Sequence, residues 1–186
     1  SRYGPDYGGI VSPSGKKIAY LGYDRKVQTF QVNSLYLMNL DGSAIKEIKT
    51  NLDRNISSLS WSSDGKGLYF KYDNHGNGKI GYVSLSGKTK VIADNIGGTS
   101  IGRPYGGGSY SISSFDHIAF TITTPYHPAD IAYFNSKGVK KITNLNYDLL
   151  SNRDLGKVEE IWYNSSVDGR RIQGWIAKPP GFNSNK

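Results

Sequence analysis

The chain has 186 residues, a formal net charge of +8 and no cysteine. Its length allows one sizeable core or two small ones, and the lack of cysteine excludes disulfides, thiolate metal sites and a cysteine nucleophile. With 37% hydrophobic and 20% charged residues, the composition excludes a disordered chain. The 23 glycines and 14 tyrosines favour an all-β protein with many tight turns.

The basic residues are dispersed rather than clustered. Lys16, Lys66 and Lys88 are typical, because they lie in or beside predicted turns. We therefore expect solvated turn lysines and no nucleic-acid partner. No apolar run approaches the roughly 18 residues that a membrane span needs, so we expect no membrane-spanning segment. The absence of cysteine is compatible with cytoplasm or periplasm and does not fix the compartment.

The most informative feature is a repeat of about fifty residues. Segments 12–20, 62–70 and 113–120 each run from a serine-rich turn into an apolar strand. Equivalent strand positions are 50 residues apart: Ile18, Leu68 and Ile118. The third copy lacks the glycine that the first two have in this turn. Self-similarity at this period predicts that one supersecondary unit is used three times.

Each copy continues with a second apolar strand, a tight turn and a short basic strand. The apolar strands are 35–40, 80–85 and 130–134, and the basic ones are 45–48, 89–92 and 139–142. The intervening turns each hold a glycine, which suits the positive φ of hairpin bends: Gly42, Gly87 and Gly138. We predict four short strands per copy, in blades at about 7–50, 56–96 and 108–145 of a partial β-propeller covering 1–145.

The central strands are apolar on both faces, as Leu35 and Leu37 alternate with Tyr36 and Met38. Such a strand has to lie between neighbouring sheets, which favours propeller blades over a β-sandwich of about seven strands. No helical periodicity exceeds a turn or two, so helix content should be very low. Because a ring normally needs about four to eight blades, we expect either other segments to close it or self-association through exposed blade faces.

The repeat ends near residue 145. We predict a connector at 146–157, a β-hairpin at 158–182 and a frayed end at 183–186. The hairpin strands, 158–164 and 170–177, flank an Asp168-Gly169 turn.

This tail carries a family resemblance. Glu-Glu-Ile-Trp-Tyr at 159–163, Ser-Val-Asp-Gly-Arg at 166–170, Ile-Gln-Gly-Trp-Ile at 172–176 and Lys-Pro-Pro-Gly-Phe at 178–182 resemble the first hairpin of the peptidase domain in prolyl oligopeptidase family serine peptidases. The acylaminoacyl-peptidase and dipeptidyl-peptidase-like branch is the most similar. The blade turns also look like that family's propeller, although they suit TolB-like propellers too. The resemblance implies an α/β-hydrolase domain with a Ser-Asp-His triad that lies beyond Lys186, so no catalytic residue is assigned in this chain.

Several short motifs favour ordinary structural roles. Gly98-Thr99-Ser100-Ile101-Gly102 matches a nucleophile elbow, but no helix is predicted to follow it, so Ser100 is not expected to be catalytic. His75, His117 and His127 are isolated and predicted to be structural or solvated. The loop 73–78 echoes a calcium site with the wrong residues at key positions, so we predict no metal and no cofactor.

Two carboxylates and one loop complete the candidates. Glu159 and Glu160 are adjacent on a strand, so their side chains point to opposite faces and cannot form an acid/base pair. The glycine-rich loop 102–108 holds Arg103 and Tyr105, the only ligand-facing candidates. Arg103 suits a peptide carbonyl or carboxylate; the alternative is an arginine paired within the propeller.

We therefore expect a non-catalytic propeller segment of a serine oligopeptidase. In the parent protein its partners would be the peptidase domain and short peptides, which the propeller would select and admit. The alternative is a stand-alone TolB-like propeller that binds a protein or a glycan. The hairpin ending in Pro-Pro-Gly-Phe distinguishes the two, since a binding propeller has no need of it.

Overall fold

The computed structural model describes residues 3–98 and 107–183. The first sheet consists of β1 (Asp6–Val11), β2 (Lys17–Gly22), β3 (Ser34–Asn39) and β4 (Lys46–Ile48). The second consists of β5 (Ile56–Trp61), β6 (Gly67–Asn74), β7 (Asn77–Ser84) and β8 (Thr89–Asp94). The third consists of β9 (Tyr110–Ile112), β10 (Ile118–Thr124), β11 (His127–Asn135) and β12 (Gly138–Lys141). A single helical turn, α1 (Tyr147–Leu150), precedes a hairpin of β13 (Lys157–Asn164) and β14 (Arg171–Lys178).

Each sheet is a four-stranded antiparallel meander, with strands adjacent in the order of the chain. The predicted all-β architecture of repeated four-stranded units is therefore confirmed, and α1 is the one helix in the described ranges. Antiparallel neighbours need only short turns, as between β6 and β7, whereas residues 23–33 form a longer connection between β2 and β3.

The first turn of each sheet has the same left-handed residue. Gly15 and Gly65 take φ values of 70° and 67°, and Asp116 takes 58° at the equivalent place in the third sheet. In all three turns this residue donates its N–H to the carbonyl of the serine three positions earlier. The turn without glycine therefore keeps its shape, since aspartate tolerates this region better than most residues.

The second sheet lies between the other two, which explains why its strands are apolar on both faces. Leu68, Phe70 and Tyr72 belong to a core shared with the first sheet. Tyr69, between them in sequence, belongs to a separate core shared with the third sheet. Alternation along β6 thus sends successive side chains into two cores.

Packing inside the first core is tight enough to require a glycine. Phe70 pairs with Gly81 across β6 and β7, and a Cβ on Gly81 would lie 2.6 Å from Phe70 Cε2. The phenyl ring lies over the glycine and is 1% exposed. A side chain at position 81 would force the ring out of place.

Candidate functional site

The described residues form a pocket of about 540 Å³ where the second sheet, the third sheet and the terminal hairpin meet. Ile96 is among the residues that line it and is only 2% exposed. Pro125, Val158 and Trp175 add apolar surface from the third sheet's β10–β11 turn and from the two hairpin strands. The volume is within the range of about 300–1,000 Å³ that is typical of ligand pockets.

The β6–β7 turn brings the second sheet to the hairpin. His75 and Gly76 both have positive φ, at 50° and 71°, which is the geometry of the turns that join twisted hairpin strands. A Cβ on Gly76 would collide with the Trp175 ring, so the indole packs directly on the glycine backbone. Only glycine allows this close approach.

Two groups of contacts hold one face of the hairpin to the sheets. At the second sheet, the His75 and Trp162 rings meet edge to face, with centroids 5.2 Å apart, and Gln173 Nε2 donates to the His75 carbonyl at 3.1 Å. At the third sheet, the Tyr126 hydroxyl accepts from Val158 N at 2.9 Å and donates to Val158 O at 3.3 Å. The hairpin is thus anchored to both sheets at once.

The pocket lining carries polar groups but no charged side chain among the residues described there. Asn77 and Asn95 line it, and their side-chain amides make no hydrogen bond within the described part of the chain. The Trp175 indole N–H is likewise unpaired there, whereas Trp162 Nε1 donates to Glu160 Oε1 at 2.6 Å. The arrangement offers neutral donors and acceptors beside apolar surface, which suits a neutral ligand.

The segment between β8 and β9 begins and ends beside this pocket. Ile96 N donates to Gly78 O at 3.0 Å, and Ile96 forms a bridge with Ile122 of β10. At the other end, Gly108 lies against Ile96, since a Cβ on Gly108 would be 3.0 Å from the Ile96 carbonyl carbon, and Lys71 Nζ donates to the carbonyls of Gly107 and Gly108, both at 3.0 Å. Arg103 and Tyr105, predicted to face a ligand, lie between these ends and outside the described residues, as does Ser100.

The two adjacent glutamates of β13 have separate environments. Glu159 accepts from Lys178 Nζ at 2.6 Å and pairs with Lys157 at 2.9 Å. Hydrogen bonds from these two lysines lower the pKa of Glu159 to about 2. Glu160 accepts from Gln173 on the opposite face. The two carboxylates therefore do not form an acid/base pair.

Asp130 ties β11 to β12 and the residues that follow it, and it is 1% exposed. Oδ1 accepts from Leu145 N at 2.8 Å and Thr143 Oγ1 at 2.7 Å, and Oδ2 accepts from Lys141 Nζ at 3.0 Å. Removal from water raises the pKa of this carboxyl, but the hydrogen bonds from Leu145, Thr143 and Lys141 outweigh it and lower the pKa to about 2.

The three histidines have different surroundings. His75 contacts the hairpin, and His117 N donates to Ser113 Oγ in a turn. His127 Nδ1 lies 3.1 Å from Asp130 Oδ2, while its Nε2 is buried without a hydrogen-bond partner in the described structure. Within residues 3–98 and 107–183, no three His, Asp or Glu side chains converge as a metal site would require.

Among the described helices, none has the length and apolar character needed to cross a membrane.

The pocket itself was missed by the sequence analysis. Its lining comes from segments as far apart as Asn77 and Trp175, and no local motif joins them. One weak signal was present: the Gly76-Asn77-Gly78 run in a hairpin turn leaves backbone and amide open to a neighbour.

Comparison with known proteins finds similar chains among peptidases. No protein-family model matches it. It is 26% identical over 189 residues to a probable dipeptidyl-peptidase 5 of Trichophyton verrucosum, covering 95% of this chain and 24% of the relative. Dipeptidyl-peptidase 5 of Trichophyton equinum is 27% identical with the same coverage. The chain thus spans about a quarter of the length of the curated relatives that it matches.

Solved structures show the same fold. The acylaminoacyl peptidase of Pyrococcus horikoshii matches with a TM-score of 0.68 at 16% identity, covering 92% of this chain and 25% of that one. TolB of Acinetobacter baumannii matches with a TM-score of 0.55 at 20% identity, covering 95% of this chain and 44% of TolB. Together with the curated relatives, these matches confirm the predicted resemblance to the prolyl oligopeptidase family and its propeller.

Proposed function

We propose that this chain is the C-terminal part of the propeller of a serine peptidase, followed by the hairpin that begins its hydrolase domain. The propeller restricts access to the active site and selects short, unfolded peptides, while the nucleophile belongs to the hydrolase domain. The relatives' name, dipeptidyl-peptidase 5, and the coverage of only a quarter of their length support this assignment.

The observation that carries the proposal is the half-covered hairpin. Its one face is anchored to the sheets through Trp162, Gln173 and Val158, while its other face leaves Tyr163, Ile172 and Ile176 between 37% and 52% exposed. A two-stranded hairpin alone is marginally stable in water. An apolar face of this kind suits continuation into a further packed domain.

The described residues support a non-catalytic role for this segment. The pair that most resembles part of a triad is His127 with Asp130, at 3.1 Å. A serine peptidase needs a serine hydroxyl on the other ring nitrogen of the histidine. His127 Nε2 is buried and has no hydrogen-bond partner among residues 3–98 and 107–183, so the third member of a triad is lacking at this pair.

Hydrolysis assays test the proposal. We expect the 186-residue chain to leave alanyl-alanyl p-nitroanilide and N-acetyl-alanyl p-nitroanilide intact, and the protein encoded by the reading frame continued past Lys186 to cleave at least one of them. The longer protein should spare intact casein, because the propeller admits only short peptides. A stop codon at Lys186, hydrolysis by the short chain, or efficient cleavage of casein would contradict the proposal.

The glycine-rich loop is part of this proposal. Arg103 positions a peptide carbonyl or carboxylate and Tyr105 lines the same approach, since the described ends of the loop lie beside the pocket. Arg103→Ala in the longer protein should lower kcat/KM for the peptide substrate at unchanged thermal stability. Unchanged kcat/KM would favour an arginine paired within the propeller.

Self-association is proposed for the isolated chain. The outer face of the third sheet leaves Ile131 43% exposed, beside a hollow of about 300 Å³ that Ala119 and Tyr133 line. Exposed sheet faces of this kind favour association. Light scattering should show oligomers, and a stable monomer would contradict this part of the proposal.

The second candidate is a stand-alone TolB-like module that binds a protein or a glycan. The likeness to TolB favours it, since 95% of this chain aligns with 44% of that protein. A TolB-like module would not require the hairpin, so deletion of 157–183 should leave the affinity for its binding partner unchanged. The reading frame past Lys186 separates the two candidates directly.

A further inference from the structure

The first junction between sheets shows how a side-chain amide binds a backbone in this molecule. Asn33 Oδ1 accepts from Ile56 N at 2.9 Å, and Asn33 Nδ2 donates to Ile56 O at 2.8 Å. Both polar atoms of one residue in an extended segment are thus paired with one asparagine. The side-chain amide acts as a neighbouring strand would.

Within residues 3–98 and 107–183, the second junction has no such internal pairing. Tyr36 pairs with Tyr20 in the first sheet as Gly81 pairs with Phe70 in the second, so Tyr36 and Gly81 are equivalent. Asn33 and Gly78 lie three residues before them. Gly78 therefore takes the place of Asn33 in the second sheet. The amides close to it are Asn77 and Asn95, which line the pocket and make no hydrogen bond within the described residues. Two peptide-binding groups of the kind used at the first junction are therefore left free at the second.

The charged side chains next to the described lining of the pocket are paired with each other. Lys79 and Asp94 adjoin the lining residues Gly78 and Asn95, and they pair with each other at 2.5 Å. No charged side chain belongs to the described lining. A charged group that entered would lose hydration without gaining a charged partner among these described residues, which is unfavourable.

We propose that this pocket binds an uncharged, extended peptide segment. Its main-chain N–H and C=O pair with Asn77 or Asn95, as Ile56 pairs with Asn33, and an apolar side chain packs among Ile96, Val158 and Trp175. The choice of a peptide as ligand rests on the proposed function, whereas the site itself belongs to the propeller–hairpin junction of this chain.

The test measures binding to the 186-residue chain by NMR, with the side-chain amide signals of Asn77 and Asn95 and the indole N–H of Trp175 as reporters. N-acetyl-Gly-Leu-Gly-amide should give saturable shifts at these three groups. N-acetyl-Gly-Lys-Gly-amide should bind about tenfold more weakly or worse, because its ammonium finds no partner. Methyl α-glucoside, which offers hydroxyls in place of a peptide unit, should not bind.

Variants separate the site from non-specific contact. Asn77→Ala and Asn95→Gly should each weaken binding of the leucyl peptide several-fold, and glycine is chosen at position 95 because Asn95 has a φ of 60°. Asn164→Ala, an exposed asparagine at the far end of β13, is the matched control and should bind like the unaltered chain. Unaltered thermal unfolding of each variant excludes a folding defect as the cause.

Three results would overturn the inference: no saturable binding of the leucyl peptide, equal binding of the lysyl peptide, or saturable shifts with the glucoside in place of the peptide. Because no second domain takes part, a failure here is distinguishable from a failure of the proposed function, which the hydrolysis assays measure separately.

Discussion

The two junctions on either side of the second sheet are built differently. The first joins eleven buried residues of the described chain in one core and adds the buried Asn33 between β3 and β5. The second joins seven and adds polar contacts at its surface. There, Asp116 accepts from the N–H and the hydroxyl of Ser63, both at 2.9 Å. Burial of apolar area thus dominates the first junction, whereas polar contacts between side chains and backbone contribute more to the second.

An aromatic donor is common to both junctions. Trp61 Nε1 of β5 donates to Ile10 O of β1 at 3.2 Å, and the Tyr110 hydroxyl of β9 donates to Ser58 O of β5. Burial raises the pKa of Tyr110, so the hydroxyl remains a donor. The two donors lie at different repeat positions, since Trp61 pairs with Leu68 whereas Tyr110 pairs with Phe120, so the two junctions share a type of contact and not its place. The difference shows that a repeated sheet can be coupled to its neighbours by unlike means.

The largest expected effect is a cavity in the first core. Phe70→Ala should lower the free energy of unfolding by about 3–5 kcal/mol, because Phe70 is 1% exposed and packs on Gly81. Phe120→Ala, at 2% exposed in the second core, is the matched variant and should cost less, since fewer buried residues surround it. Urea denaturation measures both. A larger loss for Phe120→Ala would invert the comparison.

Removal of the buried amide is the next largest effect. Asn33→Ala should cost about 2–3 kcal/mol, because Ile56 N and Ile56 O would remain buried without their partner. Asn39→Ala is the control, since the Asn39 side chain donates to Ser43 in an exposed turn. Urea denaturation of the two variants should differ clearly; equal losses would mean that Asn33 is not specific to the junction.

Loss of the contacts between Asp116 and Ser63 at the second junction should lower the free energy of unfolding by a smaller amount. Asp116→Ala loses both contacts with Ser63 and places alanine at a φ of 58°, so we expect a loss of about 1–2 kcal/mol. Asp116→Gly loses the same contacts but relieves the left-handed backbone, so it should be about 1 kcal/mol more stable than the alanine variant. Thermal unfolding of the pair checks this, and the reverse order would remove the conformational explanation.

The last effect is a pH dependence, and it concerns the segment that follows β12 and binds Asp130. Asp130 has a pKa lowered from 3.8 to about 2, so its contribution is complete above about pH 4 and is lost as the pH falls through 2. Asp130→Asn should flatten this decline in the unfolding free energy. Asp168→Asn, in the exposed hairpin turn, is the control and should retain it. If the unfolding free energy of Asp130→Asn declined with falling pH as that of the unaltered chain does, the pH dependence would belong to other carboxylates.

The sequence predicted the repeated sheets because the repeat is local. Each strand is bounded by a turn residue such as Gly15 or Gly65, and the 50-residue spacing makes three weak signals agree. It also predicted that Glu159 and Glu160 face apart, because strand alternation decides this without knowledge of the fold.

The site was beyond sequence reasoning for a physical reason. The β6–β7 turn contacts Trp175 only because the terminal hairpin packs against the second and third sheets. The packing of the indole on Gly76 also depends on the left-handed φ of this glycine. Asn77 and Asn33 are also the same residue type, so the sequence does not distinguish them. The side-chain amide of Asn77 makes no hydrogen bond within the described residues, whereas that of Asn33 binds the backbone of Ile56. Long-range geometry decides which amide is available.

The turn at Asp116 combines two roles that are separate in the other sheets. A left-handed position normally restricts a duplicated unit to glycine, so replacement there is a mutational barrier. Ser63 in the preceding unit offers two donors that compensate an aspartate at that place. A glycine at position 116 would keep the left-handed turn but lose both contacts with Ser63. The aspartate therefore makes the conformation of this turn and the attachment of its sheet to the neighbouring sheet depend on one side chain.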